Sequence, residues 1–64
     1  MRLDRNKVNI AMARKKMTVI SLAEAYGVSR ARMNVIFNSQ VITSACAGRG
    51  ADALGVDVTE IIED

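Results

Sequence analysis

Apolar positions recur at the spacing of an α-helix in several short segments, which glycines and helix-capping residues separate from one another. Residues 2–16 predict a first helix, with an acidic residue in its first turn and basic residues in its last, an order that suits the helix dipole. We expect its apolar stripe to face the core. The stripe, with the residue that follows the helix, comprises Leu3, Val8, Ile10, Ala11, Met12 and Met17.

Two further helices follow, with clear boundaries. Thr18 is a good cap for a helix over residues 19–26, and Gly27 stands where that helix ends, since glycine adopts a left-handed conformation without strain. Ser29 caps a third helix over residues 30–38. The apolar residues expected to face the core here are Val19, Leu22, Ala23, Tyr26, Val28, Met33, Ile36 and Phe37. We expect Tyr26 to be half-buried, with its hydroxyl in water.

A fourth helix is predicted over residues 44–54, capped by Thr43 or Ser44. Gly48 and Gly50 lie inside this helix, and each costs about 1 kcal/mol relative to alanine. They either weaken the helix or mark a close approach between helices.

The last predicted element is a short fifth helix over residues 58–63. Gly55 ends the helix before it, and Asp57 caps it. The pattern as a whole predicts an all-α fold, in which five short helices surround one core in a single domain over residues 1–64.

Composition narrows the class of protein further. A chain of 64 residues builds a small core of marginal stability. Its single cysteine, Cys46, allows no internal disulfide, and without histidine it offers no zinc ligand set, so we expect no metal and no cofactor. There is no apolar run long enough for a membrane span and no secretory segment after Met1. With a free thiol, this favours a cytoplasmic protein that binds no membrane.

The charges are distributed unevenly along the chain. In residues 1–32, eight basic side chains accompany two acidic ones, whereas in residues 33–64 one arginine accompanies five acidic residues. This asymmetry indicates either a basic face for a polyanion or an uneven, solvated surface, and charge alone leaves both interpretations open.

The stretch over residues 18–38 meets the requirements of a helix-turn-helix motif. Such a motif needs a small residue where its helices pack, a turn residue with positive φ, an apolar plug, a cap and an apolar residue further along. Those positions are held, in order, by Ala23, Gly27, Val28, Ser29 and Met33. A generic helical hairpin is the alternative.

Two segments carry a resemblance to a known family. The sequences MTVISLAEAYGVSRARM and ADALGVDVTEII resemble, respectively, the helix-turn-helix and the closing segment of the lambda-repressor-like, Cro/CI-type DNA-binding domains. The resemblance covers nearly the whole chain. It implies a compact five-helix fold with the helix-turn-helix at helices 2 and 3, and a transcriptional regulator that binds double-stranded DNA, often as a homodimer.

The chain departs from the family's pattern at several positions. Val19 replaces the usual Gln at the start of helix 2, and Lys16 replaces a glycine that often precedes the Met-Thr pair. An arginine common in the first helix and its glutamate partner fall on Met12 and Phe37. We therefore expect an apolar contact between these two residues instead of an ion pair.

The resemblance and the helical phase together indicate how DNA would be read, with the third helix entering the major groove by its N-terminal end. Arg30 can donate two hydrogen bonds to one guanine, and apolar side chains can contact a thymine methyl group. The predicted base contacts are Arg30, Ala31, Asn34 and Val35. The predicted phosphate contacts are Thr18, Ser29, Arg32, Asn38, Ser39 and Gln40. Basic residues at the end of the first helix would flank the DNA: Arg14, Lys15 and Lys16.

Two other functional classes compete with a DNA-binding regulator. A protein-interaction module of the same fold, acting as an antirepressor or adaptor, is favoured by Val19 and by the small Ala31. An enzyme is disfavoured, because the chain offers no histidine, no phosphate-binding loop and no metal-ligand spacing. We expect no small-molecule substrate. The C-terminal apolar residues, which include Val56, Val58, Ile61 and Ile62, either supply a dimer contact or close the core.

Overall fold

The computed structural model describes residues 1–63 and contains four α-helices and one 3-10 turn. The α-helices are α1 (Arg5–Lys15), α2 (Val19–Tyr26), α3 (Arg30–Asn38) and α4 (Ser44–Leu54), and the 3-10 turn spans Val58–Glu60. The all-α prediction is confirmed. The radius of gyration of 10.2 Å agrees with the roughly 11 Å expected of a compact domain of this length.

Capping residues set the start of every helix. The Asp4 carboxylate accepts the backbone N–H groups of Asn6 and Lys7 at 2.9 and 3.1 Å. Thr18, as predicted, and Thr43, one of the two candidates for the fourth helix, accept the N–H three residues ahead of them at the starts of α2 and α4. Each of these bonds satisfies an N–H group that the helix itself leaves without an acceptor.

The first helix begins later than predicted, because residues 1–4 are extended. Leu3 forms an antiparallel bridge with Ile62. The N–H of Asp4 donates to the carbonyl of Ile61 at 2.8 Å. The prediction of a helix from residue 2 is therefore wrong: the N-terminal segment pairs with the C-terminal segment instead.

The predicted fifth helix over residues 58–63 is also wrong, since only Val58–Glu60 forms a single 3-10 turn. The N–H of Glu63 donates to the carbonyl of Arg2 at 2.9 Å, a pairing that a helix would prevent. Asp57 caps the turn as predicted. The N–H and the hydroxyl of Thr59 donate to its carboxylate, and these bonds lower the pKa of Asp57.

The core is built from apolar side chains of every element. Val8, Ala11 and Met12 form the buried face of α1. Ile10 was expected on that face but is 56% exposed, because it lies about 200° around the helix from Val8. The other buried core residues include Leu3, Leu22, Ala23, Met33, Ile36, Phe37, Ile42, Ala47, Ala51, Leu54 and Ile61.

Helix α4 packs against α2 around Tyr26, which is 6% exposed. Its hydroxyl lies 3.1 Å from the carbonyl oxygen and 2.8 Å from the Sγ of Cys46, so the prediction of a half-buried ring with a hydrated hydroxyl is wrong. Gly50 is buried beside this ring, and a Cβ placed there would lie 3.8 Å from Tyr26 Cε2 and 3.6 Å from Ile61 Cδ1. These are ordinary van der Waals distances, so an alanine Cβ would fit at Gly50, and a Cβ at Gly48 would have nothing within 4 Å. Neither glycine is therefore required by a close approach between helices.

The C-terminal apolar residues close the core. Ile61 is completely buried, and Val56, Val58 and Ile62 are partly buried against the core cluster. None of the helices within residues 1–63 combines the length and the apolar character that a membrane crossing requires.

Candidate nucleic-acid interface

A short turn joins α2 to α3. Gly27 has φ +92°, a conformation in which a side chain would be strained. The N–H groups of Gly27 and Val28 both donate to the carbonyl of Ala23, at 2.8 and 3.0 Å. These bonds satisfy the end of α2 and fix the direction in which the chain enters α3.

Helix α3 has one buried side and one exposed side. Met33, Ile36 and Phe37 anchor it in the core and are 1%, 6% and 5% exposed. The remaining side chains of the helix are all exposed to solvent: Arg30, Ala31, Arg32, Asn34, Val35 and Asn38. The structure thus brings all four predicted base-contacting residues, with two of the predicted phosphate contacts, onto one solvent-facing surface.

The N-terminal end of α3 is open to solvent. The Ser29 hydroxyl accepts the N–H of Arg32 at 3.1 Å. Within residues 1–63, the N–H groups of Arg30 and Ala31 find no acceptor, and the Arg30 side chain makes no ion pair or hydrogen bond. Unpaired N–H groups at a helix start, beside a free guanidinium, form an electropositive surface that suits an anion.

Besides Ser29, three more of the predicted phosphate contacts already have partners inside the protein. The Thr18 hydroxyl accepts the N–H of Ser21 at 3.1 Å in a reciprocal capping box. The Ser39 hydroxyl donates to the carbonyl of Val35 at 2.9 Å. Gln40 Oε1 accepts from Arg2 at 3.2 Å, and all three residues keep surface exposure that leaves room for a second hydrogen bond.

The basic residues at the end of α1 are not gathered beside α3. Arg14 Nη1 lies 3.5 Å from Glu60 Oε1, in a groove that no α3 residue lines. The Lys15 ammonium lies next to Gly55, at the C-terminal end of α4, where the helix dipole favours a cation. Lys16 is exposed and has φ +54°, the only positive φ outside glycine in residues 1–63.

Arg49 braces the turn from α4, a role that sequence reasoning missed. Its Nη2 donates to the carbonyl of Tyr26 at 3.0 Å, and its guanidinium lies 4.6 Å from the centre of the Tyr26 ring. The dipole of α2 also favours a cation at the C-terminal end of this helix. Burial, assisted by the hydrogen bond to Cys46, raises the pKa of Tyr26 to about 12. The ring therefore stays neutral behind the turn.

A second arginine that sequence reasoning did not place at the site lies against α3. The guanidinium of Arg5 lies 4.1 Å from the centre of the Phe37 ring. Phe37 and Met12 both belong to the buried core cluster, so the apolar pair expected in place of the family's ion pair lies within the core. No spacing rule in the sequence links Arg5 with Phe37.

Comparison of the chain with protein-family models, curated proteins and solved structures finds no match.

Proposed function

We propose that this protein is a sequence-specific, double-stranded-DNA-binding transcriptional regulator of the Cro/CI type, with a lambda-repressor-like fold, and that α3 reads the major groove. One observation carries the proposal. Three buried side chains hold α3 against the core, while its whole outer row, starting with the unpaired Arg30, is exposed. A helix fixed on one side and rich in donors on the other suits groove reading.

The dimensions of α3 set the size of the sequence that it can read. Nine residues give a helix of about 13 Å, which spans about four base pairs at 3.4 Å each. Arg30 would hold guanine O6 and N7, Ala31 and Val35 would contact thymine methyl groups, and Asn34 would pair with an adenine edge. Four base pairs make a half-site, so we propose a homodimer on a two-fold symmetric operator.

Phosphate contacts would hold this helix in register. Ser29 and the N–H groups beside it lie at the leading end of α3, and Arg32 is exposed one turn further on. Asn38, Ser39 and Gln40 follow at the other end of the helix. The two groups are separated by about the length of α3, so they would contact the backbone on either side of the groove. The single free thiol fits a protein of the cytoplasm.

Selection of bound sequences from random duplexes tests the proposal. We expect enrichment of a palindrome whose half-sites contain guanine, and binding that weakens with salt. Arg30→Ala is compared with Arg14→Ala, which removes the same charge at the Glu60 contact away from α3. Arg30→Ala should lose the preference for guanine at one position of the half-site, and Arg14→Ala should keep it. If the wild type binds no duplex at low salt, the regulator proposal fails and the protein-interaction module replaces it.

A further inference from the structure

A groove of about 320 Å³ runs beside the C-terminal half of α3 and joins it to the N-terminal segment of the chain. The groove shares Asn34 and Asn38 with the proposed DNA-reading surface. Among the described residues 1–63, its charged side chains are two arginines and one glutamate: Arg2, Arg5 and Glu63. The surface proposed to read DNA therefore continues into a groove with an excess of positive charge.

The backbone of the N-terminal segment is fixed in place, and it positions Arg2 and the start of α1, where Arg5 lies. The N–H of Ile42 donates to the carbonyl of Met1 at 2.7 Å, and Leu3 bridges Ile62. Arg2 Nη1 donates at 3.2 Å to Oε1 of Gln40, which is itself one of the residues predicted to contact phosphate. Arg2 Nε lies 3.9 Å from Glu63 Oε2, which partly neutralises this arginine.

The charge of Arg5, unlike that of Arg2, is not offset by a neighbouring carboxylate within residues 1–63. Its guanidinium stacks on the Phe37 ring at 4.1 Å. Stacking occupies one face of the guanidinium and leaves its N–H edge free, and a guanidinium held in one orientation loses little entropy when it binds an oxyanion. An edge of this kind matches two phosphate oxygens.

We propose that Arg5, stacked on Phe37 and assisted by Arg2, is a contact for the DNA phosphate backbone beside the C-terminal half of α3. This inference rests on the proposed function, because it uses α3 to place the duplex. A duplex read by Asn34 would present its backbone along this groove, which is also lined by Asn38 and Arg5 and whose Arg2 is hydrogen-bonded to Gln40. Such a contact positions the protein and carries no base information.

The test compares Arg5→Met with Arg5→Lys and with the control Arg14→Met. Methionine keeps an apolar stem over Phe37 while removing the charge, and lysine keeps the charge without the stacked fork. Circular dichroism first establishes the temperature at which all variants are folded. The dissociation constant for the selected duplex, and for a duplex with a changed site, is then measured over a range of salt concentrations.

We expect Arg5→Met to make the slope of log K against log salt less steep by about 0.9 for each protomer, the value of one phosphate contact, and so by about 1.8 for the proposed homodimer. Between about 50 mM and about 200 mM salt, the wild-type dimer should then lose about 12-fold more affinity than this variant does. The ratio of affinities for the two duplexes should not change. Arg5→Lys should restore most of the slope, and Arg14→Met should leave the wild-type slope in place.

The first two of three results separate this inference from the proposed function. If the wild type prefers its site and Arg5→Met has the same slope as Arg14→Met, the phosphate contact is overturned and the regulator stands. If the wild type binds duplexes without preference and Arg5→Met still makes the slope less steep, the phosphate contact stands and sequence reading fails. If an acidic peptide binds and no duplex does, both proposals are overturned.

Discussion

Replacing Gly27 with alanine tests how the turn between α2 and α3 is built. A Cβ at this position would meet only Arg49 Nη2, at 3.9 Å, so no steric overlap contributes. The cost is conformational, because φ +92° costs a side-chain-bearing residue about 1–2 kcal/mol. Alanine also restricts the unfolded chain, which stabilises the folded state by about 0.4–1 kcal/mol and offsets part of this cost. We expect Gly27→Ala to lower the free energy of unfolding by about 1 kcal/mol.

The matched control is Gly48→Ala, the same change in a different backbone conformation. Gly48 lies within α4, and a Cβ there would have nothing within 4 Å. Alanine in a helix is better than glycine by about 0.5–1 kcal/mol, so this variant should be more stable than the wild type. Urea and thermal unfolding followed by circular dichroism measure both, with about 4–8 °C in Tm for each kcal/mol. Stability changes of the same sign in the two variants would refute the reasoning.

Two more predictions concern the contacts behind the turn. Because the pKa of Tyr26 is raised from 10.0 to about 12, the unfolded chain releases this proton first, and stability should fall between pH 10 and pH 12. The wild type should lose roughly 2 kcal/mol more over this window than Tyr26→Phe does, measured by urea unfolding, and equal losses would count against a buried neutral phenol. Arg49→Met removes the hydrogen bond to the Tyr26 carbonyl and should lower the free energy of unfolding by about 1 kcal/mol. Arg32→Met, which removes no such bond, should change the free energy of unfolding by less than about 0.5 kcal/mol.

Local sequence information was enough to define the middle of the chain. The predicted bounds 19–26, 30–38 and 44–54 agree with α2, α3 and α4. Each of these helices is preceded by a residue whose side chain accepts an N–H of its first turn, and Gly27 and Gly55 end two of them with positive φ. Caps act within a few residues, so a sequence pattern contains them.

The two ends of the chain were predicted wrongly because they depend on each other. Leu3 and Ile62 are both apolar and form a bridge in the structure. The spacing of each from the apolar residues near it in the sequence fits a helix as well as an extended strand. Their pairing joins residues at opposite ends of the chain, so no local pattern contains it. Helix α1 starts at Arg5 for this reason, and the last predicted helix is reduced to one 3-10 turn.

The candidate site was predicted in part, for a similar reason. Helical phase alone put Arg30 and Asn34 on the outer side of α3, and both are exposed. Their contact with DNA stays a prediction. Arg49 and Arg5 were missed because their aromatic partners lie on other helices. A stacked arginine is recognised from three-dimensional proximity, which residue spacing does not provide.

The central claim is that Arg30, at the leading end of α3, reads a base. The measurement that tests it most directly is the affinity of the wild type and of Arg30→Ala for the selected operator and for each of its single-base-pair variants. The account predicts that Arg30→Ala loses discrimination at one guanine position by about 5- to 150-fold, and keeps it elsewhere. An unchanged preference at every position would contradict the account.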